Sequence, residues 1–350
     1  MQCARFTGER EVRIEEIPAP DLREGEALIE VRAAGICGSD LHRYRGQDPW
    51  SGSITYPWRG GHELAGVVVE VAPGVRDIRV GQRVAVEPMQ LAGCSLCPEC
   101  KRGDSHLCQN RSTSPSRRTT VGFAEFDVAA ASHLYGFPDR TPFHAAALAD
   151  VYACAIHALH RIPLLVDETA TIIGCGPVGI ALGQAARMAG ARVIMAGRRQ
   201  AVLESALALG AADHVLDVSR FGDAAPTRVV FEAVGGSSNE TLLLALQAVS
   251  PGGTIGILGA FTGDVAVPYR ISNRKEVTLR WCNGYSMCHG QREFGIALNW
   301  IVEGKVNAAG LVTHRFSLGR IAQAFQAADN KTRSGAIKVM IVNESSGAQT

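Results

Sequence analysis

Residues 171–190 read TIIGCGPVGIALGQAARMAG. A short β-branched run enters three glycines, Gly174, Gly176 and Gly179, and leaves them through small and apolar residues that recur with a helical period. A G-x-G-x-x-G triplet alone is a weak sign. Here a strand precedes it, a helix follows, and a second strand, RVIMAG at 192–197, comes next, which is the order of a βαβ unit that takes a dinucleotide. The first glycine permits a tight turn, the second lets a diphosphate approach the backbone, and the third lets helix pack on strand. The helix N-terminus then faces the phosphates, with Pro177 and Val178 in its first turn, where a missing proline N–H leaves no bond unmade. A glycine loop that serves packing alone is the competing reading, and the flanking strands argue against it.

From this unit the pattern extends in both directions. Residues from about 146 to 285 alternate strand-length apolar runs (TIIG, RVIMA, HVLD, RVVFEA, TIGILGA, VTLRWC) with helix-period stretches, as in a parallel sheet covered by helices on both faces. Residues 1–145 are rich in Gly, Pro and short runs such as ALIEVRAAG and LAGVVVEVAPGV, and read as mostly β. After about residue 286, two helical stretches lead to a last strand, AIKVMIV. The fold class is therefore α/β, a doubly wound parallel sheet joined to a β domain. With 350 residues, 46% of them apolar, the chain is long enough for two domains with separate cores.

Charge and composition exclude other classes. A net charge of +1 with no block of like charges gives no general attraction to nucleic acid or anionic lipid. No apolar run approaches the roughly 18 residues that cross a bilayer. The start, MQCARFTGEREVRIEEIP, has no apolar core of a secretory signal, so a cytoplasmic location is expected. Ten cysteines in such a chain point to metal binding or free thiols rather than to disulfides.

The second strand of the βαβ unit ends on Gly197, Arg198 and Arg199. An NAD-specific site offers Asp or Glu at about that place to the adenosine ribose. A glycine there removes repulsion toward a 2′-phosphate, and two arginines supply charge-assisted donors, so NADP(H) is the expected cofactor. Solvated arginines at the start of the next helix are the alternative. Gly235 in FEAVGG and Gly259 in ILGAF close the fourth and fifth strands and are expected to line the nicotinamide pocket.

Two cysteine patterns carry metal chemistry. Cys94, Cys97, Cys100 and Cys108 stand at C-x2-C-x2-C-x7-C on one loop, which fits a closed structural zinc site of four thiolates. An iron–sulfur cluster is the rival, but its bacterial run is tighter and ends in Cys-Pro. The other pattern is scattered: Cys37 in AGICGSDLH, His62 and Glu63 in RGGHELAG, Asp150 in ALADVYACAIHAL. Catalytic zinc takes three mixed N, S and O ligands and keeps one open position. Taken singly, each of these residues has a plainer role as core thiol, satisfied histidine or helix cap.

The pieces GICGSDLH, GGHELAGVVVEVAPGV, the four-cysteine loop, GFAEF, GCGPVG and VTHRFSL follow one another as in the zinc-dependent medium-chain dehydrogenases, which the chain resembles over nearly its whole length. The resemblance implies a GroES-like β domain made of residues 1–147 with 286–350 returning to it, and a Rossmann domain at 148–285. It implies that Cys37, His62 and Asp150 bind catalytic zinc, with Glu63 near enough to be an alternate ligand, and thus two zinc ions per chain. An acidic residue at 150, seven before His157, looks like the sorbitol and threonine dehydrogenase branch, where carboxylate or water completes the metal shell. The family further implies a proton route through Ser39, the cofactor ribose and His42, an orienting role for Asp40 on His62, and a dimer or tetramer.

Zinc acts as a Lewis acid on a substrate oxygen while hydride passes to or from nicotinamide. Tyr44, Arg45, Gln47, Trp50, Tyr56, Trp58 and Arg59 lie between Cys37 and His62, a region that in the family walls the substrate cleft. Their mix of aromatic and hydrogen-bonding groups suits a small polyol, sugar or cyclitol, oxidised at a secondary hydroxyl. A simple alcohol dehydrogenase or aldehyde reductase, a sugar-phosphate dehydrogenase, and a cofactor-binding structural or regulatory relative are the other readings.

Overall fold

The computed structural model describes residues 1–48, 53–88, 93–110, 121–223 and 225–343. Six parallel strands form one sheet in the order His214–Asp217, Arg192–Gly197, Thr169–Ile173, Thr227–Glu232, Val249–Ile257, Thr278–Trp281. The chain winds outward from Thr169–Ile173 to one edge, then returns and winds to the other, so the strand order reverses beside Thr169–Ile173. A crevice opens at such a reversal, outside the carboxyl ends of the strands. The apolar character of these strands follows from burial on both faces: Ala170, Ile172, Val193, Met195, Val229 and Phe231 are fully buried.

The second sheet is mixed. Its path runs Val312–Phe316, Lys338–Val342, Glu26–Gly35, Glu63–Val71, Arg83–Val86, Leu134–Gly136, and Phe126–Ala130 also pairs with Glu26–Gly35. The chain thus returns after the parallel sheet to add two strands to the sheet built by its first block. A hairpin of Gln2–Gly8 and Glu11–Glu16 flanks it. Phe6, Ile29, Leu64, Val68, Phe123, Phe325 and Val339 fill its core.

Helix Ala149–Arg161 joins the two sheets. Its buried alanines at 149, 153, 155 and 158 let neighbouring backbones come close, and it packs on helix Pro177–Met188 and on helix Glu293–Val302. One apolar cluster runs from Ala33, Ala65 and Ala85 of the mixed sheet through this helix to Ile172 and Val193 of the parallel sheet. The crevice at the strand reversal is walled on its other side by the mixed sheet, and Asp150 stands in the helix's first turn at that boundary.

Candidate active site

Cys37 leaves strand Glu26–Gly35 and caps the short helix Gly38–Tyr44. Its N–H donates to the Asp40 carboxylate at 3.0 Å, so the thiol is aimed by the first turn of that helix. Gly35 and Glu63 are strand partners, and this pairing carries His62 and Glu63 to Cys37 across the sheet. Gly61 has φ +91°, and a Cβ there would meet the Phe123 nitrogen at 2.6 Å, so only glycine admits the turn that delivers His62. The donor atoms of Cys37, His62 and Glu63 lie within 4.8 Å of one another.

Asp150 stands beside this group rather than in it. Its Oδ2 is 4.0 Å from His62 Nε2, and its Oδ1 accepts the Tyr285 hydroxyl at 2.7 Å. Tyr285 is fixed by the residues that follow it: the buried Glu293 carboxylate accepts the Ser286 N–H at 2.6 Å and pairs with Nδ1 of His157 and of His160, each at 2.8 Å. Burial pushes the Asp150 carboxyl up to about 6, partly offset by His62. For His62 burial pulls the other way, but Cys37, Asp40 and Asp150 together hold its pKa well above the usual histidine value. Asp40 is 3.9 Å from His62 Nδ1, within electrostatic range but beyond a hydrogen bond.

Lys338 completes the cluster. It is buried in strand Lys338–Val342, forms an ion pair with Glu63, and donates from Nζ to the Ile36 carbonyl at 3.0 Å. A thiol, an imidazole and carboxylates converge here, and Lys338 sets a buried positive charge against Glu63. Mixed sulfur, nitrogen and oxygen donors with an approach from the cleft fit a catalytic zinc ion, held by Cys37 and His62 with Glu63 in reach.

The cysteine loop has the closed geometry. All four sulfurs of Cys94, Cys97, Cys100 and Cys108 lie within 4.8 Å of one another, and Cys97 and Cys108 are 3.8 Å apart. Zn–S bonds of about 2.3 Å in a tetrahedron place sulfurs about 3.8 Å apart, so the loop fits the ion. Backbone N–H groups of Cys94, Cys97 and Cys100 donate to Cys108, Cys94 and Cys97 sulfur at 3.3, 3.4 and 3.5 Å. The Leu96 and Cys97 N–H groups hold the Cys94 thiol down at about 6, while its neighbours push Cys97 up to about 12 and burial raises Cys100, so Cys94 is the sulfur of the loop that gives up its proton first.

A cleft of about 2360 Å³ connects the Cys37 site with the glycine turn. That exceeds the roughly 300–1000 Å³ of an ordinary small-ligand pocket, and leaves room for a dinucleotide and a substrate together. Gly174 has φ +111°, and the space at Gly179 is filled by the Gly174 carbonyl, so the first and third glycines serve turn and packing. Gly176, by contrast, faces open space and caps helix Pro177–Met188, which is the cradle a diphosphate requires. Gly235 and Gly259 lie against each other at the ends of their strands; Gly259 lines the cleft, whereas Gly235, expected there too, does not, because it packs against the Ala260 backbone. His42 lines it too, and its buried Nδ1 has no hydrogen-bond partner among the described residues.

The end of strand Arg192–Gly197 has a packing logic of its own. Where a side chain at Gly197 would stand, the Cys175 sulfur already sits. Arg198 is exposed on the cleft and Arg199 is half-buried, donating from Nη1 to the Lys331 and Ala336 carbonyls at 3.3 and 3.0 Å. Among the described residues, Arg198 is thus the uncommitted cation of the two.

Among residues 44–59 the structure separates two groups. Tyr44 and Trp58 do not wall the cleft: Trp58 stacks on Phe6 with ring centroids 3.8 Å apart, and Tyr44 packs on Phe6 and Phe325. Burying their large rings in the mixed-sheet core outweighs exposure to a polar substrate. Arg45 and Arg59 line the cleft, Arg45 paired with Asp329; Gln47 and Tyr56 do not line it, and Trp50 lies outside the described residues. Ser39, His42 and Val178 are on the cleft wall. Tyr285 and Lys338 escaped the sequence reading, although a lysine inside the apolar strand KVMIV is a visible anomaly.

A cluster of mixed sulfur, nitrogen and oxygen donors in a dinucleotide-sized cleft, with a separate four-cysteine loop, is the arrangement of a zinc-binding dehydrogenase. A family model described as the alcohol dehydrogenase GroES-like domain matches residues 23–139, and one described as zinc-binding dehydrogenase matches residues 177–303. Sorbitol dehydrogenase of Bombyx mori is 30% identical, over 97% of this chain and 97% of that protein. L-galactonate-5-dehydrogenase of Escherichia coli is 29% identical, over 89% of each chain. The solved structure of a zinc-binding dehydrogenase from Sinorhizobium meliloti bound to NADP superposes with a TM-score of 0.84 at 26% identity, covering 98% of this chain and 99% of that one. The chain belongs to the zinc-type medium-chain dehydrogenase/reductase family. It is an oxidoreductase of the alcohol and polyol dehydrogenase kind, with zinc and a nicotinamide cofactor. Among the described residues no helix is long and apolar enough to cross a membrane.

Proposed function

We propose that this chain interconverts a secondary alcohol and a ketone on a polar, polyhydroxylated substrate, a polyol, sugar or cyclitol, with NADP(H) in preference to NAD(H) and two zinc ions per chain. The observation that carries the reading is the convergence of Cys37, His62 and Glu63 within 4.8 Å, in the same cleft as the open cradle at Gly176. When bound, zinc supplies Lewis acidity at a substrate oxygen and nicotinamide supplies the hydride carrier. The chain's residues hold the reactants and move the proton.

Ser39 and His42 stand one turn apart on helix Gly38–Tyr44 and so share a face. Burial, with Arg45 and Lys331 nearby, holds His42 below the ordinary histidine pKa, so its imidazole is neutral near neutral pH and can receive the proton leaving a substrate hydroxyl. Tyr285 fixes one Asp150 oxygen and leaves the other turned to His62. Lys338 holds Glu63 by charge. The NADP preference is supported by the glycine at 197 and by the free Arg198 at that strand's end. The polar substrate class is supported by the relatives that act on sorbitol and L-galactonate, and by the hydrogen-bonding wall of Ser39, Asp150 and Arg59. Arg59, exposed at the cleft, favours a phosphorylated sugar as the second reading.

A screen of polyols, sugars, cyclitols and their phosphates with NADP⁺ and NAD⁺, followed by nicotinamide absorbance, tests this. Turnover of an unphosphorylated polyhydroxylated substrate, faster with NADP⁺, is expected. Turnover confined to simple alkyl alcohols, or an NAD⁺ preference, overturns the corresponding part.

A further inference from the structure

The cleft contains a cation that neither the glycine turn nor the metal cluster uses. Lys331 opens the short helix Lys331–Ser334 and lines the cleft wall. Its carbonyl accepts from Arg199, which anchors it beside the end of strand Arg192–Gly197, where the adenosine half of a dinucleotide belongs. Its ammonium is also within electrostatic reach of Cys37, at the opposite, reacting end of the cleft, as well as of Lys338, Arg199 and Arg45.

The neighbouring cations are committed. Lys338 is held by Glu63 and the Ile36 carbonyl, Arg45 by Asp329, and Arg199 by two carbonyls. Lys331 itself makes no side-chain hydrogen bond or ion pair among the described residues; Asp329, two residues earlier, is taken by Arg45 and Arg10. Burial, together with the three cations, pushes the Lys331 ammonium down to about 8. An anion beside it would offset the repulsion from those three cations.

A dinucleotide that runs from Arg198 to Cys37 carries its diphosphate in the middle. The helix N-terminus at Gly176 offers N–H groups and a partial charge of about half a unit, against a ligand group with two negative charges. We propose that Lys331 supplies the missing counter-charge by binding the bridging diphosphate of the nicotinamide cofactor. The assignment rests on the reading of the cleft as a nicotinamide dinucleotide site. It makes Lys331 a binding residue for either cofactor, distinct from Arg198, which meets only the 2′-phosphate.

The test titrates the zinc-loaded wild type, Lys331→Gln and Lys331→Arg with NADH, NADPH, ADP-ribose and adenosine, by fluorescence or calorimetry. Lys331→Gln is expected to raise Kd for NADH, NADPH and ADP-ribose by one common factor of about 10- to 100-fold, with adenosine unchanged within about twofold. Lys331→Arg restores most of the affinity, and the melting temperature stays within a degree or so of wild type because the side chain has no partner to lose. A loss confined to NADPH overturns the proposal and gives Lys331 to the 2′-phosphate. Unchanged dinucleotide affinity with a raised KM for a phosphorylated substrate overturns it in favour of the substrate. Failure of the wild type to bind any dinucleotide is a different result, and removes the reading of the cleft itself.

Discussion

The two cysteine-bearing clusters reach similar compactness by opposite means. In the loop, four sulfurs come from residues 94 to 108, and the N–H groups that hold them belong to the same few turns. At the cleft, the donors come from residues 37, 62 and 63, the flanking carboxylate from 150, and the charge that holds Glu63 from 338. Closing a short loop costs little chain entropy, whereas the second cluster forms only after strand pairing and helix packing have been completed. Loss of a metal ligand in the loop is therefore expected to act on folding stability, and loss of one in the cleft on chemistry.

Ligand removal separates the two most sharply. Cys37→Ala is expected to lower turnover by about 10³-fold or more, since several kcal/mol of Lewis-acid stabilisation disappear. Metal analysis should then find one zinc ion per chain in place of two, with little change in melting temperature. Cys97→Ala should do the reverse, losing the loop ion and lowering the melting temperature while the cleft ion remains. If Cys37→Ala kept both ions and its activity, the division between the clusters would be wrong.

The buried pair tests the fold's part in the cleft site. Lys338→Ala leaves Glu63 as an uncompensated buried charge, which costs about 3–5 kcal/mol. Urea melts of the two proteins at neutral pH measure this directly, and Lys338→Ala with Glu63→Gln should recover part of the loss. A single-variant change below about 0.5 kcal/mol would mean that the pair contributes nothing.

What sequence carried follows the same division. The cysteine spacing, the glycine turn and the strand–helix alternation are local patterns, and each forms where its residues predict. Cys37, His62 and Glu63 could be named as candidates only because a family resemblance joined them; nothing in their spacing says that Gly35 pairs with Glu63. Tyr285 was invisible because it lies on a loop and its partner, Asp150, lies on a helix 135 residues earlier. Tyr44 and Trp58 were misplaced for a related reason: an aromatic ring near a cleft in sequence also packs well into a core, and only the tertiary fold decides which.

A smaller effect concerns the cofactor. Arg198→Ala removes an uncommitted guanidinium and is expected to weaken NADPH by about 10-fold or more while NADH changes less than about twofold. Equal losses for both cofactors in a binding titration would refute the selectivity argued for this residue. Gly197→Asp alone should not convert the preference, because the Cys175 sulfur fills the space the new side chain requires; with Cys175→Gly in addition, NADH affinity is expected to rise.

A last effect lies outside both clusters and calibrates them. Acid would protonate the thiolate and imidazole groups of either proposed metal site and release its ion, which confounds any pH comparison unless the fold's own acid sensitivity is known. His133 supplies part of that background. Burial, aided by Arg292, pushes its imidazole down to about 4, and its Nδ1 has no hydrogen-bond partner among the described residues. Between about pH 6.5 and 4 the unfolded chain binds a proton at this histidine that the folded chain refuses. The stabilising effect of the neutral ring is therefore complete above the ordinary histidine pKa and declines as pH falls, by at most about 1.4 kcal/mol per pH unit, until it levels off near pH 4. His133→Phe keeps the ring volume and removes the titration, so denaturant melts across that range should give the variant a flatter dependence than wild type. Parallel curves would show that His133 takes up its proton without unfolding, and the acid slope would then belong to the metal ligands.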